Sequence, residues 1–233
     1  MAISLKQVTK IYTTGVVETK ALDQVDLEIK DGEVIVLLGP SGSGKSTLLN
    51  VCSGLDAPTD GIITIGDEVI SQMNTKELTL FRRKNIGFIF QRYNLLQSLS
   101  VRENVEVGRE ISLDPLLTEE VVDQVGLLKM IDKYPYQLSG GEQQRVSIAR
   151  AIVKNPKIMF CDEPTGALDE ENAKGVLGVL QHMNETYGTT LVLITHNPNI
   201  SVMADRVVKL NNGQIVDIKT NKEKKRASEI IWS

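Results

Sequence analysis

Residues Gly39-Pro40-Ser41-Gly42-Ser43-Gly44-Lys45-Ser46 set glycines, a lysine and a hydroxyl at the spacing G-x-x-x-x-G-K-[ST]. Glycines let a loop wrap with its N–H groups turned inward, and such a ring holds phosphate oxygens. Lys45 then reaches the β- and γ-phosphates, and the Ser46 hydroxyl ligates Mg²⁺. Thr47, one position into the helix start, adds a donor on the α-phosphate side. A strand-to-helix turn that merely needs glycines leaves Lys45 unexplained. A second phosphate-seeking element lies at Leu138-Ser139-Gly140-Gly141-Glu142-Gln143-Gln144-Arg145. Ser139 stands three residues before Glu142, the spacing of a capping box, ahead of the helical run Val146 to Ile152. A glycine in a first turn costs a helix about 1 kcal/mol relative to alanine. Gly140 and Gly141 therefore make sense where another backbone or a phosphate must approach those N–H groups. No lysine accompanies this helix start, so it cannot hold a nucleotide alone.

In an open parallel sheet, ligands bind beyond the carboxyl ends of the strands. Gln91 follows the apolar run Ile86 to Phe90, Asp162-Glu163 follows Ile158-Met159-Phe160-Cys161, and His196 follows Leu191 to Thr195. The acidic pair has a division of labour. Asp162 can hold Mg²⁺, directly or through water, while Glu163 polarises an attacking water as general base. His196 by itself reads as a turn residue beside Asn197-Pro198; a place near a γ-phosphate makes it functional. Gln91 alone is uninformative, and His182, within a helical stretch, reads as bland.

The elements that must position these groups are set by patterning. Val34 to Leu38 is a continuous apolar run, the mark of a strand buried on both faces, and leads through the glycine loop into a helix from Lys45 to Ser53. Ile3, Leu5, Val8 and Ile11-Tyr12 alternate imperfectly; Val25, Leu27 and Ile29 alternate cleanly. Further strands are expected at 62–65, 86–90, 158–161 and 190–195, with a helix over 170–187. Residues 101–152 turn helical, as an inserted subdomain. Asn211-Asn212-Gly213 between two apolar runs is a hairpin signal. Lys219 to Arg226 reads as a solvated basic tail.

The bulk numbers bound these readings. A chain of 233 residues holds one domain, or one core with a subdomain. Hydrophobic content of 41% with 24% charged residues is ordinary for a globular protein, and a net charge of −4 gives no reason to expect nucleic acid as a partner. Cys52 and Cys161 lie in apolar stretches and read as reduced core residues. No apolar run approaches the roughly 18 residues of a membrane span, and the first residues lack a signal peptide's features. The expectation is a cytoplasmic protein that does not itself cross a membrane.

With the phosphate loop, Leu138 to Arg145 and the Asp162-Glu163 element in this order, the chain resembles the ATP-binding subunit of an ABC transporter over nearly all of residues 1–220. Within that superfamily it is most similar to the lipoprotein-releasing, macrolide-export and antimicrobial-peptide efflux group. That narrower likeness rests on Gly39 through Asn50, Gly54-Leu55-Asp56, Arg83 with Ile86-Gly87-Phe88, and Asn94-Leu95-Leu96. The resemblance implies an α/β fold: a P-loop NTPase (RecA-like) core with an antiparallel β subdomain and an α-helical subdomain inserted at about 97–155. Residues 221–233 are left as a basic C-terminal tail. It implies ATP and Mg²⁺ as cofactors. Tyr12 then stacks on adenine, Gln91 contacts Mg²⁺ or water and faces a membrane partner, and Ser139, Gly140 and Gly141 bind the γ-phosphate held by another subunit. Glu163 is the base, His196 the switch that contacts the γ-phosphate, and Asp169 part of a loop that communicates across a dimer. Gly166 departs from the family in standing where serine is common, and Cys161 where a small apolar residue is usual.

These roles together imply an ATPase sandwiching two ATPs head-to-tail in a two-fold dimer of itself. It would drive export or extraction by a separate integral-membrane permease, with room for a periplasmic or membrane-fusion accessory protein. Its place would be the inner face of the membrane. The competing reading is a soluble ABC-type ATPase acting on DNA, on ribosomes or in cell-division-like mechanotransmission. Against the DNA version, coiled-coil heptads between the two motifs are absent.

Overall fold

The computed structural model describes residues 2–232. Strands β1 (Ile3–Thr14), β2 (Val17–Ile29), β4 (Asp60–Ile65) and β5 (Glu68–Val69) form an antiparallel sheet in the order β2-β1-β4-β5. A second sheet comprises β3 (Val34–Leu38), β6 (Ile86–Ile89), β7 (Ile158–Asp162), β8 (Thr190–Ile194), β9 (Arg206–Asn211) and β10 (Gln214–Thr220). Its order is β10-β9-β3-β8-β7-β6, parallel except for the β9–β10 hairpin.

The continuous apolar runs are explained by this second sheet, which is buried on both faces. Side chains alternate along each strand with a period of two. Val34 and Val36 of β3, Met159 and Cys161 of β7, and Leu191 and Leu193 of β8 enter one core cluster. Ile35 and Leu37, Ile158 and Phe160, and Val192 and Ile194 enter the other. The first cluster is completed by helices α3 (Val101–Glu110), α4 (Thr118–Gln124), α5 (Gly140–Ile152) and α6 (Glu170–Tyr187). The second is completed by α1 (Lys45–Cys52), α2 (Thr75–Asn85) and the antiparallel sheet. The α/β expectation therefore holds, with both minor layers attached to one parallel sheet.

The imperfect alternation of β1 has a physical cause. Pairing with β2 shifts register between Leu5 and Val8 and again before Ile11. Gln7 and Gln24 take left-handed φ values of 51° and 48°, as bulged residues can. The β9–β10 turn has Asn212 at φ 47° and Gly213 at φ 76°, both positive as a tight type I′ hairpin requires. Helix α2 is not anticipated by apolar periodicity, because only Phe81 and Asn85 of it are buried. A capping box starts it instead: the Asn74 side chain accepts from Glu77 N, and Glu77 Oε2 accepts from Asn74 N at 2.8 Å.

Lys219 to Arg226 are exposed except for half-buried Asn221, as a solvated segment requires, but the segment is also tied to the body of the protein. Asn221 Nδ2 donates to Ser201 O (2.8 Å) and Ala204 O (2.9 Å), and Lys224 pairs with Asp205 at 2.9 Å. Lys225 N donates to Val202 O and Ala227 N to Gln181 Oε1. Ala227 and Ile230 are buried in the helical-side core. Charges dominate this segment's composition, but two small apolar anchors and main-chain bonds decide where it lies.

Candidate functional site

The carboxyl ends of β3, β8, β7 and β6 lie side by side in the sheet order, so the residues that come after them converge. A cleft of about 690 Å³ is lined by Gly39, Ser41 through Thr47, Gln91, Asp162, Glu163 and His196. Four strand ends that are far apart in sequence thus meet in one place.

The phosphate loop is built for close approach. A Cβ on Gly39 would collide with the Leu210 carbonyl, and one on Gly44, at φ 102°, would lie 2.6 Å from Ala21 O. Gly44 is the N-cap of α1 and supplies no side-chain cap, which leaves the first N–H groups of that helix for an anion. Lys45 Nζ donates to Gly39 O at 2.8 Å and Pro40 O at 2.9 Å, so its charge is held at the loop's mouth. The Ser43 hydroxyl is buried without a hydrogen-bond partner among the described residues.

Asp162 ends β7 and lies near enough to Ser46 and Lys45 of α1 for both to favour its charged form. Burial first, then the adjacent Glu163, pushes its carboxyl above the usual range, while Ser46 and Lys45 oppose this. A half-buried carboxylate beside a hydroxyl is a fitting pair for a hard cation, which takes oxygen ligands from carboxylates and substrate phosphates. Among the described residues no group of three His, Cys, Asp or Glu side chains could hold a metal. Phosphate oxygens would have to complete the shell.

Glu163 departs from the strand. Its φ is 50°, a left-handed value rare outside glycine, and its N–H donates to Ile194 O at 3.0 Å. Its Oε2 lies 2.9 Å from His196 Nδ1. A carboxylate only accepts, so the histidine donates from Nδ1. Gln91 sits across the same cleft, and a Cβ on Gly166 would lie 3.4 Å from its Nε2.

Ser139, Gly140, Gly141 and Asp169 do not line this cleft. Ser139 is the N-cap of α5 in the expected capping box with Glu142, its N–H donating to Glu142 Oε2 at 2.7 Å. Asp169 is the N-cap of α6 and accepts from Asn172 N. A Cβ on Gly141 would collide with Asn172 Oδ1, so Gly141 is small to admit the α6 start. Gly140 is exposed, and the nearest atom a Cβ there would meet is the Tyr93 hydroxyl at 3.0 Å. The two phosphate-seeking elements therefore form separate groups within one chain.

Tyr12 also lies outside the lining residues. Its hydroxyl donates to Asp56 Oδ2 at 2.9 Å, and Lys10 Nζ sits 4.9 Å from its ring centroid. Burial, then Asp56, raises its phenol pKa. The cleft gains residues that no local signal assigns to it: Thr19, Lys20 and Ala21 of β2, and Asn212-Gly213 of the hairpin turn. Gly213 N donates to Ser43 O and Gly213 O accepts from Asp23 N, so this turn buttresses the phosphate loop. The hairpin motif is legible in sequence, but its contact with residues some 170 positions away has no sequence counterpart.

The ABC transporter family model matches residues 22–166. A putative ABC transporter ATP-binding protein of Mycoplasma pneumoniae is 45% identical over 99% of this chain, and the chain spans about half (50%) of that relative's length. The bacitracin export ATP-binding protein BceA of Halalkalibacterium halodurans is 41% identical over 88% of this chain and 83% of its own. A solved dimeric ATP-binding cassette in a post-hydrolysis state with ADP and Pi superposes with a TM-score of 0.86 at 38% identity, over 95% of this chain and 99% of that one. Phosphate loop, paired carboxylates and capped glycine helix stand together in a chain that such relatives match nearly end to end, and the chain belongs to the ABC transporter family as an ATP-binding, ATP-hydrolysing cassette.

Proposed function

We propose that two copies of this chain close head-to-tail on two ATP molecules and drive export by a separate integral-membrane permease. The observation that carries this reading is the separation of Ser139-Gly140-Gly141 from the Lys45 cleft. Each chain offers a cleft that lacks a donor element and a donor element that lacks a cleft, and a two-fold axis satisfies both. The similar cassette solved as a dimer with ADP and Pi supports it. Relatives named for bacitracin export and macrolide export support the direction. Among the described residues no helix is long and apolar enough to cross a membrane, in keeping with a peripheral place on the inner face beside the permease.

The residues divide the chemistry. Gly39 through Thr47 cradle the phosphates, and Lys45 exchanges its two carbonyl acceptors for β- and γ-phosphate oxygens. Ser46, Asp162 and Gln91 would hold Mg²⁺, which would supply charge neutralisation for the phosphates. Glu163 takes the proton of the attacking water. His196 orients that carboxylate through Nδ1, and its remaining Nε2 donates to a phosphate oxygen only when the ring is protonated. Ser139, Gly140 and Gly141 of one subunit bind the γ-phosphate of the other, with Asp169 beside the junction, and Tyr12 packs against adenine. Residues 1–220 carry all of these roles.

Glu163→Gln keeps the shape of the base but cannot accept the proton. It should bind ATP, accumulate as a dimer on size exclusion and lose about 100-fold or more in turnover, within the range of general-base contributions. Turnover at the wild-type rate would remove Glu163 from the reaction.

A further inference from the structure

We propose that Trp232 is a positioning residue for ATP hydrolysis, holding the His196 loop and the Glu163-to-Asp169 loop in register. This role rests on those proposed for Glu163 and His196.

Residues 221–232 form a strap around the segment that carries the histidine. After β8 the chain passes through Thr195, His196 and Asn197 into a 3-10 turn, Pro198–Met203. The far end of that turn is tied by Asn221 Nδ2 to Ser201 O and Ala204 O, and by Lys225 N to Val202 O. Ala227 and Ile230, 3% and 1% exposed, then anchor the strap on the helical-side core. Its last described residue returns to the near end of the turn. Trp232 lines a small cleft together with Thr195, His196 and Pro198 of the histidine segment and Thr165, Gly166 and Leu168 of the segment after β7. Leu168 and Trp232 pack against the same core cluster.

One indole therefore borders both loops that leave the catalytic strand ends. The first presents His196, whose Nδ1 bonds Glu163. The second begins at Glu163, held at an unusual φ, and ends at Asp169, the cap of α6. Neither loop has regular structure of its own to fix it. A large, rigid side chain of two torsions that faces both loops across a shared cleft limits their relative motion at small entropic cost. Orientation of a base and its partner is worth orders of magnitude in rate, so a side chain so placed acts on turnover more than on ATP binding.

Trp232 is the single tryptophan of the chain, which makes it its own reporter. Trp232→Ala in the full chain should lower kcat about tenfold, through lost orientation, with KM for ATP within about twofold. Trp232→Phe, which keeps a ring in the cleft, should restore most of the rate. Tryptophan emission of Glu163→Gln, where ATP is consumed only slowly, should change on adding Mg·ATP. A Trp232→Ala protein with the wild-type kcat, or one whose loss resides in ATP binding, would overturn the proposal. So would a phenylalanine variant as slow as the alanine variant. His196→Ala separates the two readings: if it alone turns over normally, the assignment of His196 fails, whereas a slow His196→Ala beside a normal Trp232→Ala sinks only the strap.

Discussion

The Lys45 ammonium has two carbonyl acceptors in its own loop, both within 2.9 Å, and no carboxylate partner among its direct hydrogen bonds. That arrangement keeps the charge near the loop's mouth without neutralising it. Neutralisation by a neighbouring acid would compete with a phosphate; two neutral carbonyls are easily exchanged. Lys45→Ala therefore costs the folded protein little and the nucleotide much. A hydrogen bond to a charged group is worth about 1.5–3 kcal/mol, so ATP affinity should fall about 10- to 100-fold in equilibrium titration while the thermal midpoint moves little. Equal affinity in the two proteins would remove the phosphate-loop assignment. Glu163 and His196 are arranged on the opposite principle. They are already joined at 2.9 Å, and a left-handed φ at Glu163 turns the chain so that its neighbour Asp162 can face Ser46 instead. Two adjacent carboxylates thus acquire different partners and different work.

At the level of elements, positions that bury on both sheet faces are readable as apolar runs, and strand–loop–helix order around Gly39 comes with them. Helix α2 is not, because its stability comes from capping and from its charged C-terminal turn rather than an apolar face. The strap at 221–232 escapes a sequence reading for a related reason: its lysines outnumber its anchors, and its contact with α6 lies far away in sequence. Tertiary placement also resets charges. Lys154, just past α5, donates to Ile86 O at 2.7 Å and to Arg82 O at 3.3 Å, bonding carbonyls at the α2–β6 junction. Burial, followed by the Arg83 and Arg82 charges, brings its ammonium from 10.5 down to about 8. Between those values the unfolded chain keeps a proton that the folded one has released, so stability contributed at this site rises with pH across that window. The gain is bounded by about 3 kcal/mol. Lys154→Met removes it. Urea midpoints at pH 8 and pH 10 should show the wild type gaining stability relative to the variant; a constant difference would mean that Lys154 titrates at an ordinary value.

At the scale of the whole molecule, the chain is organised around an incompleteness. Helix starts α5 and α6 are tied to each other through Gly141, Asn172 and Asp169, while Lys45, Asp162, Glu163 and His196 share a cleft that neither helix start lines. The glycines of α5 are legible as a demand for close approach. Their division of labour is not, since Gly141 admits Asn172 of the same chain and only Gly140 stays exposed for something else. That asymmetry supplies a test of the head-to-tail dimer. Gly140→Asp places an acid in the first turn of α5, where the helix dipole favours it, so the fold tolerates it while a phosphate does not. Lys45→Ala disables the cleft of the same subunit that keeps a sound α5. Each variant alone should be inactive, because every composite site contains one defect. Mixed in equal amounts, half the dimers are hybrids, and in each hybrid the intact Lys45 cleft of one chain faces the intact Gly140 of the other. One of its two sites is then whole, and the mixture should recover about a quarter of the wild-type turnover if exchange is random between two-fold partners. If instead each chain completed its own site, both elements would have to be intact in one polypeptide, and the mixture would stay as inactive as its parents.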